Sequence, residues 1–210
     1  ITMAAEAQAK TGHDVFAFDQ WTVQEFSDSL DPVDDIMGRL TGKYGKVSSA
    51  VEYLGKVDGK WLGVPICIGS QIKGPCSRID LMKQHAGIDV QAMYPAGSPP
   101  KADDWTFDTF LKAAEGCHKA GYSFGIGLGT TSDNVDTAGA IFHGFGAELV
   151  DAKGKIQVKS AAVREVLEYS QKLVKFLPAD AQSWDDSSNN RALIAGNASF
   201  IYNPPSAWAV

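Results

Sequence analysis

Two short stretches set a flat aromatic ring beside side chains that accept or donate hydrogen bonds, the pairing by which a protein grips a small polar molecule. Asp19-Gln20-Trp21 places a carboxylate, an amide and an indole in consecutive positions directly after an apolar run. Trp184-Asp185-Asp186, ahead of Asn189-Asn190, repeats the combination where a helix is expected to begin. Between them Thr130-Thr131-Ser132-Asp133-Asn134 forms a polar loop leading into a helix, with Asn134 as its candidate contact, and Asn203 and Ser206 follow the last apolar run. Carboxylates and amides replace the water shell of a hydroxyl-rich solute while an indole face covers its apolar side. Each group also has a plainer reading: Trp21 as a packing residue at a helix start, Asp19 and Asp185 as caps, and the neighbours of Asn134 as an N-cap. Apart from Arg191, no Arg accompanies these loops, so a carboxylate or phosphate ligand lacks its bidentate clamp here. A neutral polyhydroxy solute fits, and a polyamine is the alternative, since aromatics and carboxylates also hold cations.

Bond-making chemistry lacks its residues. Gly125-Ile126-Gly127-Leu128-Gly129 is neither Gly-x-Gly-x-x-Gly nor a phosphate loop ending in Lys-Ser or Lys-Thr. His13, His85, His118 and His143 are scattered without metal spacing, and the pairs Asp34-Asp35, Asp103-Asp104 and Asp185-Asp186 read as solvated caps rather than acid-base dyads. Cys67, Cys76 and Cys117 form no Cys-x-x-Cys and read as small buried thiols, with Cys67 to Cys76 the one pairing worth checking. No catalytic residue, metal or cofactor is therefore expected. An α/β enzyme and a module that only contacts other proteins are the rival classes. With 19 Lys plus Arg against 25 Asp plus Glu, the formal charge is -6, and no basic stripe marks a nucleic-acid or anionic-membrane surface. Apolar runs such as those at 140–142 and 192–195 fall far short of the roughly 18 residues of a membrane span.

The loops need elements to hold them, and 210 residues, 44% of them hydrophobic, can bury a core. Ala-rich residues 1–10 read as the end of a helix, and Asp14 to Phe18 as a short buried strand. Helical stretches carry Val23, Phe26 and Leu30, then Ile36, Met37 and Leu40, then 47–54. Asp58-Gly59 turns a hairpin, and Leu62 to Ile68 follows as a strand at a sheet edge because it holds Pro65. After extended chain over 71–78 come a short helix over 79–86 and a loop through Gly97-Ser98-Pro99-Pro100. Thr106 caps a helix that stops at Gly121, Tyr122 to Leu128 is a strand, and Ser132 to Phe145 a helix. Residues 148–158 form a hairpin turning at Lys153-Gly154. Ser160 then caps a helix whose Val163, Val166, Leu167, Leu173 and Val174 face one way, and a helix over 187–195 leads to a strand at 198–202. This alternation predicts an α/β architecture with largely parallel sheets. A first residue Ile1 rather than Met, and a last segment directly behind a strand and a Pro-Pro turn, suggest a piece of a longer protein.

Four of these stretches, in this order, resemble family 1 extracellular solute-binding proteins of bacterial ABC importers, the maltose-binding-protein-like group. Gly12-His13-Asp14-Val15 is similar to its Gly-x-Asp-apolar strand, and Asp58-Gly59-Lys60-Trp61-Leu62-Gly63-Val64-Pro65 to its Asp-Gly-Lys-x-x-Gly-x-Pro segment. Trp105-Thr106-Phe107-Asp108 resembles its capped helix start, with Thr109 in the acidic position. Residues 192–200 before Asn203-Pro204-Pro205 resemble its Gly-x-Ala strand entry and Gly-Pro-Trp turn, with Ser206 in place of the stacking Trp and Trp208 two residues later. The resemblance implies a periplasmic-binding-protein-like fold of type II, α/β, with two lobes joined by hinge strands and both termini truncated. Residues 1–67 would be an incomplete lobe one and 68–210 most of lobe two, with the hinge near Cys67 to Ser70. It also implies a solute, a carbohydrate by the residues above, held in a cleft to which Ser70 and Asn134 contribute. The expected partner is a membrane permease, and the expected state a monomer in the periplasm or tethered to the outer face of the membrane.

Overall fold

The computed structural model describes residues 2–17, 21–66, 74–151, 153–203 and 207. The chain divides into two compact units, Ile1–Ile68 and Gly69–Val210.

In the first unit α1 spans Thr2–Ala9. Glu6 reaches beyond its end, where its carboxylate accepts from His13 N (2.6 Å) and meets His13 Nδ1 at 2.9 Å. α2 (Thr22–Glu25) and a 3-10 turn (Ser27–Ser29) precede α3 (Asp34–Tyr44). Asp34 and Asp35 in the first turn of α3 and Lys43 in its last complement the helix dipole. α4 (Ser49–Gly55) starts where Ser48 Oγ accepts from Val51 N, and it runs into β1 (Lys56–Val57) and β2 (Lys60–Trp61). Lys56 pairs with Trp61 and Val57 with Lys60, joined by Asp58 (φ 49) and Gly59 (φ 78), both left-handed as a tight two-residue hairpin requires. Trp61 knits the unit together: its carbonyl accepts from Val33 N (2.7 Å) and its N–H donates to Asp34 Oδ1 (3.2 Å). Val23 and Met37 are buried with it.

Two expected strands of this unit are absent as strands. Residues 14–17 and 62–66 join no ladder among the described residues, and Val15 is 85% exposed. An apolar extended run becomes a strand only beside a partner offering a row of N–H and C=O groups. Among the described residues, the short hairpin is the only ladder of this unit.

The second unit opens with β3 (Pro75–Ser77), α5 (Ile79–Leu81) and a π-helical turn (Met82–Ala86) ended by Gly87. α6 (Val90–Met93), capped by Asp89, lies in a region read from sequence as loop. α7 (Phe107–Lys119) starts where Thr106 Oγ1 accepts from Thr109 N (3.2 Å). α8 spans Ser132–Gly144, and α9, Ala161–Leu173, starts where Ser160 Oγ accepts from Val163 N (3.3 Å). 3-10 turns at Val174–Phe176 and Ala181–Ser183 lead to α10 (Ser188–Ile194) and β4 (Phe200–Tyr202). The 148–158 hairpin is reduced to one bridge, Val150 with Ile156.

β3 pairs antiparallel with β4, Cys76 opposite Ile201, and the parallel pairing expected from sequence is confined to a bridge between Phe124 and Phe200. The crossover rule sets the hand of a connection between parallel strands; it does not dictate the direction in which β3 meets β4. Around this sheet Phe110, Phe124 and Phe200 meet ring to ring at 4.8 to 5.3 Å, walled by Ala114, Cys117 and Leu173. Tyr169 donates to Phe107 O (3.0 Å), and burial pushes its phenol well above the usual range. On α9 the buried stripe is Val163, Val166, Tyr169 and Leu173, whereas Leu167 (53% exposed) and Val174 (41%) flank it. Each stands about 100° round the helix from its buried neighbour. Cys76 and Cys117 are free buried thiols, so the Cys67–Cys76 bridge is not formed. Cys67 itself lies outside the described residues.

Candidate functional site

Because residues 122–128 and β4 run parallel where they meet, the segments that follow them emerge at one edge: 129–134 after the first, Asn203 after the second. That is where open α/β sheets hold ligands. Gly125, Gly127 and Gly129 recur two residues apart along this segment. A Cβ at Gly125 would lie 2.8 Å from Ile201 Cγ2, one at Gly127 would run into the Asn134 amide, and one at Gly129 would sit 2.7 Å from Trp184 O. The glycine run that fails as a nucleotide loop is thus what lets β4, Asn134 and the Trp184 backbone close on this edge. Asn134 fits best with Oδ1 accepting from Gly129 N (3.2 Å) and Thr131 Oγ1 (2.9 Å) and Nδ2 donating to Gly127 O (3.3 Å). The opposite orientation gives one 3.4 Å bond to Trp184 O.

A buried amide network joins the segments. Asn203, 5% exposed, donates to Asn189 Oδ1 (2.9 Å) and Asn190 Oδ1 (2.7 Å). Asn189, 7% exposed, donates in turn to Asp133 Oδ2 (3.1 Å) and Tyr202 O (3.3 Å). Asp133 N donates to Asp186 Oδ1 (3.0 Å), linking the start of α8 to the turn before α10. Tyr202, beside this network, has its phenol pushed up to about 12 by burial.

Trp184 is half-buried at the end of its 3-10 turn. Asp185 is exposed, and its Oδ1 accepts from Ser188 Oγ (2.7 Å), Ser187 Oγ (2.9 Å), Ser187 N (3.1 Å) and Arg191 Nη2 (3.1 Å). The serine hydroxyls first, then the Ser187 N–H and the Arg191 charge, hold its carboxyl well below the usual aspartate range. Asp185 therefore organises the start of α10, with Arg191 Nη1 also reaching Ser187 Oγ.

Of the residues chosen from sequence, Asn134, Trp184, Asp185 and Asn203 are brought together at this edge. Trp21 belongs to the first unit, half-buried as the N-cap of α2, its carbonyl accepting from Gln24 N (3.1 Å) and Glu25 N (3.2 Å). Asp19, Gln20, Ser70 and Ser206 lie outside the described residues. Asn189 and Gly127 were not chosen; an Asn-Asn pair inside a helix, where amides compete with the backbone, was the available signal for the first. Behind Asn134 an apolar recess of about 190 Å³ opens between Ile126, Leu128, Ile141 and Leu173. It is below the roughly 300 Å³ of an ordinary ligand pocket and offers few hydrogen bonds. Among the described residues no cluster of His, Cys, Asp or Glu is arranged to hold a metal ion, and no helix is long and apolar enough to cross a membrane.

A family model described as bacterial extracellular solute-binding protein matches residues 2–210. No curated protein matches the chain. Among solved structures, a sugar transporter from Arthrobacter chlorophenolicus A6 with bound laminaribiose superposes with TM-score 0.72 at 17% identity, over 95% of this chain and 49% of that one. A chitin oligosaccharide binding protein gives 0.60 at 17% identity, over 97% and 49%. Maltose-bound MalE3 of T. maritima gives 0.58 at 18% identity, over 89% and 44%. The chain spans about half the length of the solved structures it matches.

Proposed function

Since the chain belongs to the bacterial extracellular solute-binding proteins and carries a periplasmic-binding-protein-like α/β fold, we propose that it is the capture component of an ABC importer for a carbohydrate or polyol. The observation that carries this reading is the polar edge beyond the two parallel segments, where Asn134, Asn203 and half-buried Trp184 converge. Residues 1–67 belong to an incomplete lobe one and 68–210 to most of lobe two. Asp19, Gln20 and Trp21 reach the solute from the first lobe, and Ser70 lies at the hinge. Asn134, Trp184, Asp185, Asn203 and Ser206 reach it from the second. Closure about the hinge strands excludes water, so amide and carboxylate groups replace the hydration of the hydroxyls while indole faces cover the apolar ring faces. No covalent bond changes. The loaded protein, a monomer in the periplasm or tethered to the outer face of the membrane, hands the solute to permease subunits.

The names of the similar structures support a saccharide: laminaribiose, maltose and chitin oligosaccharide. The Asp185 charge, already met by Arg191 and two serines, supports a neutral solute over a polyamine. The test is a thermal shift of the full-length protein against monosaccharides, disaccharides, polyols and spermidine, because a ligand of the folded state raises the melting temperature with concentration. A saccharide or polyol is expected to raise it; a rise confined to spermidine overturns the reading. Trp21→Ala and Asp185→Ala should each weaken affinity for the responding solute with the fold intact, and unchanged affinity in both removes these residues from the pocket.

A further inference from the structure

We infer that Asn189 is a positioning residue, setting solute affinity through the groups it holds rather than by contact. Its amide is buried, with both Nδ2 and Oδ1 already bonded within the protein. One planar head spans three segments. Nδ2 donates to Asp133 Oδ2 at the start of α8 and to Tyr202 O at the end of β4, while Oδ1 accepts from Asn203 Nδ2 and from Asn190 N. Each segment carries a proposed solute contact: Asn134 next to Asp133, Asn203 next to Tyr202, and Trp184 with Asp185 ahead of α10. An amide of this length carries two N–H donors and a two-lone-pair acceptor on one planar head. Aspartate keeps the shape but turns the donor into an acceptor facing the Asp133 carboxylate, so the link between α8 and α10 becomes a repulsion. The inference rests on this edge being the solute site, and its test separates the two.

In the full-length protein, Asn189→Asp is compared with wild type and with the exchange Asp133→Asn/Asn189→Asp, which restores one donor and one acceptor with their places reversed. Amide hydrogen exchange is followed without solute over 129–134, 184–190 and, as internal control, 107–119. Laminaribiose affinity is measured by calorimetry. Asn189→Asp is expected to speed exchange in the first two segments and weaken laminaribiose binding by about tenfold or more, the scale of one lost buried partner, with 107–119 unchanged. The double exchange restores the Asp133 link but not the bond to Tyr202 O, and should recover part of both effects. Unchanged exchange at 129–134, or a double variant no better than the single, overturns the inference. Should Asn189→Asp not fold, Asn189→Ser removes the Asp133 link more gently; a rise that includes 107–119 would then mark Asn189 as merely structural and overturn the inference too. If wild type ignores laminaribiose, the saccharide reading weakens while the exchange pattern still decides the role of Asn189.

Discussion

In residues 69–210, Phe124 and Phe200 are at most 2% exposed and stack 4.8 Å apart; in residues 1–68, Val15, Tyr53 and Ile66 are 85%, 77% and 59% exposed. The two stretches have similar apolar patterning, and what separates them is the presence of a partner surface. Residues 69–210 pack helices around the β4 sheet, so Phe110, Phe124, Phe200 and Ile201 are buried among other apolar side chains, while Ile156 and Leu167 stay exposed. Among the described residues of 1–68 the buried apolar side chains are Val23, Met37 and Trp61, with Trp61 on the short hairpin.

The comparison breaks or sharpens with paired truncations. Phe200→Ala should cost about 3–5 kcal/mol, seen as an earlier denaturant midpoint for Trp184 and Trp105 emission. Met37→Ala, equally buried in the first unit, should cost about 2–3 kcal/mol and shift the Trp61 signal. If Met37→Ala proves the costlier, the first unit has the tighter core and the contrast fails. Gly129→Ala comes next: its Cβ would lie 2.7 Å from Trp184 O, and relieving that overlap should cost about 1–3 kcal/mol and loosen solute binding. A Gly129→Ala protein of wild-type melting temperature and affinity would show that the two segments need not touch. The smallest effect concerns Asp185. Its hydrogen bonds hold the carboxyl below the ordinary value of 3.8, so its contribution is complete above that pH and is lost as pH falls through the lowered value. The advantage of wild type over Asp185→Asn in unfolding midpoint should therefore be present at neutral pH and shrink below pH 3.8.

What the sequence revealed divides along the same line. Helix starts at Thr106 and Ser160 and the Asp58-Gly59 turn were legible because each is decided within a few residues, by an oxygen that reaches an N–H three positions on or by a left-handed pair. The runs at 14–18 and 62–68 carry equally good strand patterns, yet where described they form no strand, because pairing depends on chain elsewhere. That Asn134, Trp184, Asp185 and Asn203 lie at one edge was legible from their places after strands and before a helix; that they hold a solute is the proposal. Asn189 was not legible, since its bond to Asp133 crosses 56 positions and no local spacing announces it. Likewise, spacing excludes Gly127 and Gly129 from a phosphate loop, but only the structure shows Asn134 and Trp184 set against them.

β3 and β4 meet across most of the second unit, and the contact from Cys76 Sγ to Asn203 O closes a loop of 127 positions. Closure on that scale comes before any reward from pairing, so this ladder is among the last features to form. During synthesis Phe124 has Phe110 within reach long before the Phe200 ring is added, so the helical side of this core precedes its sheet.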